Sequence, residues 1–231
     1  MDILKLSQLA SLSYEDENKF RESITDTQDI TFYSIRETQF YVLEYENLTI
    51  ITIRGTSNFR DGLSDIYVSK SNFDDVKNEN IYVHNGFLTQ YNFVKLIIFD
   101  IVVKKPNKHK IIFTSHSLGA SISTLLSTML KTYFKDNIIV ENITFGCPKI
   151  GNTAFVDYYS SIIDKSLNYQ YNNDIITMIP KIGYTKFKNI IHLEHGTHSF
   201  IHNTFGNIED HHIDNYVNYF KNNPDFIENA I

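Results

Sequence analysis

The sequence predicts an α/β fold, with a central, mostly parallel β-sheet flanked by helices and antiparallel strands at its N-terminal edge. From residue 86 onward, segments with helical spacing of apolar residues alternate with short apolar runs, which is typical of a parallel sheet. Residues 30–54 contain β-rich runs with no helix between them, which indicates antiparallel strands. No composition shift, repeat or linker marks a boundary, so we expect one domain over residues 1–231.

The N-terminal half is assigned from its periodicity. Residues 30–54 are rich in β-branched and aromatic residues, and the segment YENL at 45–48 is predicted to be the turn between two β-rich runs. Residues 86–103 are predicted to form a helix that ends before Pro106, because apolar side chains recur there at helical spacing. These side chains are Phe87, Tyr91, Val94, Ile98 and Ile101.

The C-terminal half alternates strands with helices. Short apolar or β-rich runs predict strands at 110–115, 138–148 and 166–174, and the last of these ends in an acidic turn. Longer segments with helical periodicity predict helices at 118–134, 150–163 and 213–220.

Composition excludes several classes of function. The formal net charge is -6 and the pI is about 5.8, so the chain has neither the basic footprint of a nucleic-acid-binding protein nor an overall attraction to anionic lipid. Its one cysteine, Cys147, permits no intramolecular disulfide and favours a reducing compartment. The N-terminal residues do not resemble a signal peptide, and the most apolar stretch, 93–105, is interrupted by Lys95 and Asp100. We therefore expect a soluble, cytoplasmic protein without stable membrane insertion.

The segment IIFTSHSLGAS at 111–121 is the strongest sign of catalysis. A serine becomes a useful nucleophile only when a base activates it and a sharp strand-to-helix turn exposes its hydroxyl. Such a turn needs small neighbours, and Ser117 is followed by Gly119, Ala120 and Ser121. The usual pattern has glycine two residues before the nucleophile, where this chain has Ser115. The alternative is a helix N-cap formed by Ser115 or Ser117.

Five segments in order resemble the class 3 lipases, a family of α/β-hydrolases that includes fungal triacylglycerol lipases and plant enzymes like phospholipase A1. The segments are TIRGTSNFRDGLSDI at 52–66, VHNGF at 83–87, SHSLGAS at 115–121, TFGCPKIGNTAF at 144–155 and YNNDIITMIP at 171–180. The resemblance implies the α/β-hydrolase fold and a carboxylic-ester hydrolase that needs no cofactor.

The resemblance also implies a catalytic triad in the chain order serine, acid, histidine. Ser117 matches the nucleophile, and Asp174 matches the acid that holds the histidine in one tautomer. His211 matches the base, because His211, Ile213 and Tyr216 fit the form H-x-[LIM]-x-x-Y found in many relatives. The adjacent His212 half-fits the tighter form H-L-x-Y of fungal members and remains the alternative.

The remaining histidines receive no catalytic role. His116 lies inside the turn that carries Ser117, and His84 belongs to a segment in which the family uses it structurally. The spacing of His192, His195, His198 and His202 suggests a metal site, but no H-E-x-x-H motif is present. We therefore expect no metal.

An ester hydrolase must also stabilise the oxyanion of its tetrahedral intermediate. The backbone N–H of Leu118 is one expected donor, and by resemblance Thr56 supplies the other, with Asp65 orienting the Thr56 side chain. Fungal relatives carry a lid after this loop, which corresponds to residues 57–70, and its apolar face here consists of Phe59, Leu63, Ile66 and Tyr67. Gly62 occupies the position of a family tryptophan, so we expect a lid that responds weakly to lipid.

The resemblance leaves three functions open. The leading one is hydrolysis of lipid esters, like that of a triacylglycerol lipase, through an acyl-enzyme on Ser117, with at most transient contact with a lipid interface. The second is a phospholipase A1 or short-chain esterase, which would use the same residues. The third is a lipid- or protein-binding relative that retains the fold without catalysis. None of these functions involves nucleic acid.

Overall fold

The protein, seen in a computed structural model, is described here over residues 1–55, 69–194 and 207–226. These ranges contain nine strands: β1 Asp29–Ile35, β2 Thr38–Glu44, β3 Leu48–Ile53, β4 Lys70–Asn72, β5 Tyr82–His84, β6 His109–His116, β7 Ile138–Phe145, β8 Lys165–Tyr171 and β9 Ile190–Leu193. The same ranges contain six α-helices: α1 Ile3–Leu12, α2 Glu17–Ser23, α3 Asn85–Val102, α4 Leu118–Phe134, α5 Thr153–Ile162 and α6 Ile213–Asn222.

Seven of these described strands form the central sheet in the order β1-β2-β3-β6-β7-β8-β9. β1, β2 and β3 pair antiparallel, whereas β3, β6, β7, β8 and β9 pair parallel. The predicted fold class, mostly parallel with antiparallel strands at the N-terminal edge, is confirmed. The carboxyl ends of β3, β6, β7 and β8 lie along one edge of the sheet, where α/β proteins bind their ligands.

The segment 30–54 contains three strands, so the prediction of two β-rich runs was wrong. The expected turn at 45–48 joins β2 to β3, with Tyr45 N donating to Leu48 O over 2.8 Å. A second turn at Arg36 and Glu37 separates β1 from β2, and Arg36 adopts a positive φ of 54° there. Glycine or asparagine normally signals such a turn, and neither is present, so the sequence did not reveal it.

Helices cover both faces of the sheet. The face carrying α3, α4 and α5 has a large apolar core, which includes Ile51, Val94, Ile98, Phe113, Leu125, Val140 and Phe155. The opposite face has a second core beneath α1 and α6, which includes Leu6, Leu9, Ile112, Ile143, Tyr216 and Phe220. Among the described residues, no helix is long and apolar enough to cross a membrane.

The helices α1 and α2 lie in residues 1–23, for which no element was predicted. Each begins at an aspartate cap: Asp2 accepts from Leu4 N at 3.2 Å, and Asp16 accepts from Lys19 N at 3.0 Å. Aspartate before an apolar-periodic segment is a recognisable helix start, so this signal was available in the sequence. The four predicted helices at 86–103, 118–134, 150–163 and 213–220 correspond to α3, α4, α5 and α6.

Candidate active site

Ser117 lies at a strained corner between β6 and α4. Its backbone has φ 58° and ψ -128°, a conformation that costs a non-glycine residue about 1–3 kcal/mol. Close packing maintains the corner, because a Cβ atom at Gly119 would overlap the carbonyl oxygen of Ile53. The Ser117 side chain caps no backbone N–H of α4, which argues against the alternative of a helix N-cap at this residue.

Ser115 fits into the position at which the family pattern has glycine. Its side chain is fully buried, and its Oγ accepts a hydrogen bond from the backbone N–H of Ile53 at 3.1 Å. Ile53 is the last residue of β3 and directly precedes the segment that leads to Thr56. The extra hydroxyl therefore ties the end of β3 to the strand that carries the nucleophile.

Three predicted side chains form one buried hydrogen-bond chain. Ser117 Oγ lies 2.8 Å from His211 Nε2, and His211 Nδ1 lies 2.8 Å from Asp174 Oδ2. A carboxylate can only accept, so His211 Nδ1–H donates to Asp174 and the lone pair on Nε2 faces the Ser117 hydroxyl. His212, the alternative base, is exposed and pairs with Glu209 at 3.2 Å instead.

Asp174 is held by the turn that follows β8. Its Oδ1 accepts from Ile176 N at 2.9 Å, so the carboxylate also caps the short helical turn Ile175–Met178. Gly146, at φ +59°, lies against its other oxygen, and a Cβ atom there would be 2.7 Å from Asp174 Oδ2 and 2.9 Å from the His211 ring. Glycine at position 146 leaves room for the acid and the histidine to meet.

Tyr216 adds a third contact to Asp174 that was not predicted from the sequence. Its hydroxyl donates to Asp174 Oδ2 at 2.6 Å and accepts from Tyr171 N at 3.2 Å. Burial, and next the negative charge of Asp174, raise the pKa of Tyr216 well above its ordinary value, so the hydroxyl remains a donor. The sequence marked Tyr216 only as part of the pattern around His211.

His116 contacts the main chain of His211, the histidine of the buried hydrogen-bond chain. Its Nε2 lies 2.7 Å from the His211 carbonyl oxygen, which can only accept, so Nε2 carries the proton. Its Nδ1 therefore accepts from the hydroxyl of Tyr14 at 2.8 Å. Burial, and next the charge of His211, lower the pKa of His116, which keeps this ring neutral. Nothing in the sequence indicated the contact with Tyr14.

Of the two predicted oxyanion donors, only Leu118 lies within the described residues. Leu118 opens α4 immediately after Ser117, so its N–H lies among the helix N-terminal donors that lack an intrahelical acceptor. The other residues with predicted roles here lie outside the described residues, and their roles stay predictions. These are Thr56, Asp65, the lid residues Phe59, Leu63, Ile66 and Tyr67, and Gly62.

The alternative of a metal site finds no support in the described part of the chain, which holds no group of three or more potential ligands. His192 lies in β9. His195, His198 and His202 lie outside the described residues.

Known proteins resemble this chain in sequence. The family model for lipase (class 3) matches residues 50–184. A lipase of Rhizopus niveus is 29% identical over 167 residues, covering 68% of this chain and 42% of the relative. The chloroplastic phospholipase A(1) DAD1 of Arabidopsis thaliana is 27% identical over 150 residues, covering 58% and 34%. The chain thus spans less than half the length of these relatives.

Solved structures share the fold. Lipase II from Rhizopus niveus superimposes with a TM-score of 0.74 at 24% identity, covering 91% of this chain and 94% of that one. A triacylglycerol lipase whose catalytic centre is described as a serine protease triad gives a TM-score of 0.74 at 21% identity, covering 90% and 91%.

Proposed function

This chain belongs to the class 3 lipase family, and we propose that it is a serine hydrolase of lipid carboxylic esters. The observation that carries the proposal is the buried hydrogen-bond chain from Ser117 through His211 to Asp174, with each contact at 2.8 Å. Relatives named as lipases and as phospholipases A1 support lipid esters as the substrate class.

The geometry supports a two-step reaction. Ser117 Oγ attacks the acyl carbonyl while His211 Nε2 takes its proton, and the same proton then passes to the departing alcohol. Water, activated by His211, attacks the acyl-enzyme and releases the carboxylic acid. Asp174 keeps His211 in the required tautomer throughout. The N–H of Leu118 and the predicted donor at Thr56 would stabilise the oxyanion.

The preferred substrate is a triacylglycerol-like ester, with a phospholipid or a soluble short-chain ester as the alternative. Gly62, in place of a tryptophan, reduces the apolar area that would draw the predicted lid onto lipid. Each large apolar side chain contributes about 1.5–3 kcal/mol when it is fully buried. We therefore expect appreciable activity on soluble short-chain esters and only a small increase in rate when droplets form.

A binding protein without catalysis is the third candidate, and the local strain argues against it. A binding surface gains nothing from a serine held at φ 58°, or from a histidine aligned between that serine and a buried acid. Such strain persists where a mechanism uses it. The cytoplasmic location stays a prediction.

Covalent labelling with a fluorophosphonate probe tests the proposal. The wild-type protein should label and Ser117→Ala should not, while Ser117→Ala should lose up to about 10⁶-fold in kcat on p-nitrophenyl esters of graded chain length. Triacylglycerol and phospholipid substrates assayed in parallel distinguish the two lipid alternatives. A folded Ser117→Ala protein with wild-type turnover would refute the mechanism, and an unlabelled, inactive wild type would favour the binding protein.

A further inference from the structure

A cluster of lysines borders the candidate active site. Residues 175–193 contain three lysines and no acidic residue, although the whole chain has a net charge of -6. We use the name lysine surface for Lys149, Lys181 and Lys186 together with the two apolar side chains exposed beside them, Met178 and Ile182. Ile182 is 81% exposed and Met178 is 39% exposed. The surface therefore combines concentrated positive charge with accessible apolar side chains.

The lysines of this surface, Lys149, Lys181 and Lys186, are close enough to repel one another. Burial lowers the pKa of Lys149, and the positive charges of Lys186 and Lys181 lower it further. Within the described ranges no carboxylate lies within ion-pair distance of any of the three, whereas the neighbouring Lys188 pairs with Asp157 at 2.7 Å. Clustered like charges without a partner carry a repulsion that an external negative charge would relieve.

The lysine surface lies at the same sheet edge as Ser117. Lys149 follows β7 and donates its backbone N–H to Ile179 O at 2.8 Å, which joins the two loops that form the surface. One of these loops begins at Asp174, and the other begins at Gly146, beside Asp174 and His211. Each loop therefore runs outward from the candidate catalytic centre.

The surface also lies beside Ser69 and Lys70, through contacts made by Tyr184. Tyr184 donates its hydroxyl to the Ser69 carbonyl at 3.2 Å, and the Lys70 ammonium lies 5.1 Å from the Tyr184 ring centroid. Ser69 and Lys70 end the segment 57–70 that the sequence predicts as a lid. A flat, charged partner that rested on the lysine surface would thus lie beside the last two residues of the predicted lid segment.

We propose that the lysine surface docks the protein on an anionic lipid surface, with Lys149, Lys181 and Lys186 against negatively charged head groups and Ile182 and Met178 among the lipids. This inference rests on the proposed function, because it orients Ser117 toward its substrate. Each lysine near such a surface strengthens binding about fivefold at moderate ionic strength. The attraction is local, since salt screens charges beyond about 10 Å at 0.1 M, and it acts despite the negative net charge.

Vesicle co-sedimentation tests the proposal with matched variants of equal charge. We expect wild-type protein to bind vesicles of phosphatidylcholine mixed with phosphatidylglycerol, and to bind phosphatidylcholine alone far more weakly. Lys181→Gln/Lys186→Gln should bind the anionic vesicles about 25-fold more weakly, the product of two fivefold losses. The control Lys104→Gln/Lys108→Gln removes two exposed lysines that precede β6, at the opposite sheet edge, and should bind like wild type. Ile182→Ser should weaken binding to both vesicle types.

Activity on soluble p-nitrophenyl butyrate separates this inference from the proposed function. All these variants should keep the wild-type kcat/KM on the soluble ester, since none alters the hydrogen-bond chain of Ser117. An inactive wild type that still binds anionic vesicles would refute the function and leave the docking surface standing. Equal wild-type binding to both vesicle types, no binding to either, or equal losses in the two double variants would overturn the docking proposal.

Discussion

Ser115 offers a sharp test of how the nucleophile is supported. Ser115→Ala removes the Oγ that accepts from the Ile53 N–H in a site with no solvent exposure. Ile53 also pairs with Ser115 in the parallel ladder of β3 and β6, so the change removes one hydrogen bond, whose net contribution is about 0.5–1.5 kcal/mol. In a protein of this size each kcal/mol lowers Tm by about 2–4 °C, so we expect Tm to fall by about 1–6 °C. Ser115→Gly should lose a further 0.5–1 kcal/mol, roughly, because glycine weakens a strand interior.

The same change should reduce turnover. Ile53 directly precedes the segment that leads to the predicted oxyanion donor Thr56, and a displacement of about 1 Å at a reacting centre can cost 10²-fold. We therefore expect Ser115→Ala to lower kcat by about 10- to 100-fold with little change in KM, measured on a soluble ester well below Tm.

Ser7→Ala is the matched control for Ser115→Ala. It removes the same atoms from another fully buried site, but the Ser7 hydroxyl only donates to Leu4 O of its own helix at 2.8 Å. Its Tm and kcat should remain near wild type. A Ser115→Ala protein with unchanged Tm and kcat would show that the Ile53 contact stabilises neither the fold nor the site.

Three further predictions concern the side chains around the base. His211→Ala should be inactive on soluble esters while His212→Ala keeps most of its kcat, because only His211 reaches Ser117; the opposite result would give the role to His212. Tyr216→Phe removes a 2.6 Å hydrogen bond to Asp174, worth about 1.5–3 kcal/mol for a charged acceptor, and should lower kcat about 10- to 100-fold with the KM retained; an unchanged kcat would make the contact purely structural. In the folded protein the pKa of His116 is lowered. Below about pH 6.5 the unfolded chain therefore binds a proton that the folded chain does not. The free energy of unfolding should then fall by up to about 1.4 kcal/mol for each pH unit. Urea unfolding between pH 7 and pH 5, roughly the range in which an ordinary histidine titrates, should show a shallower pH dependence for His116→Gln than for wild type, and parallel curves would contradict this assignment.

The fold was predictable because local signals marked its elements, and the hydrogen-bond chain was predictable because the recognised segments resemble those of class 3 lipases. The helix α4 begins at Leu118, as predicted, because a sharp turn with small residues separates two apolar segments. The aspartate at 174 ends a strand-like run, which places it at the carboxyl edge of a parallel sheet. The resemblance assigned Ser117 and Asp174 to one triad, whereas the hairpin at Arg36 lacked a glycine and escaped detection.

The supporting contacts were not predictable, and the reason is physical. The chain has 15 tyrosines, and a tyrosine at apolar spacing looks like a core residue whether or not its hydroxyl has a partner. Tyr14 reaches His116 across 102 positions, and Tyr216 reaches Asp174 across 42. These distances reflect how α1 and α6 pack on the sheet, which no local pattern encodes.

The small residues of the recognised segments, in contrast to the tyrosines, do indicate long-range contacts. Gly119 lies against the carbonyl of Ile53, and Gly146 lies against Asp174 and His211, so each marks a point at which two parts of the main chain or the site come into contact. A local residue type thus records a long-range contact there, because no larger residue fits. Ser115 extends this logic: it fills a position that the family pattern leaves to glycine, and its hydroxyl accepts a hydrogen bond from the neighbouring strand. The serine that departs from the family pattern therefore makes a hydrogen bond within the fold. Ser115→Ala measures how much that hydrogen bond contributes to stability and turnover.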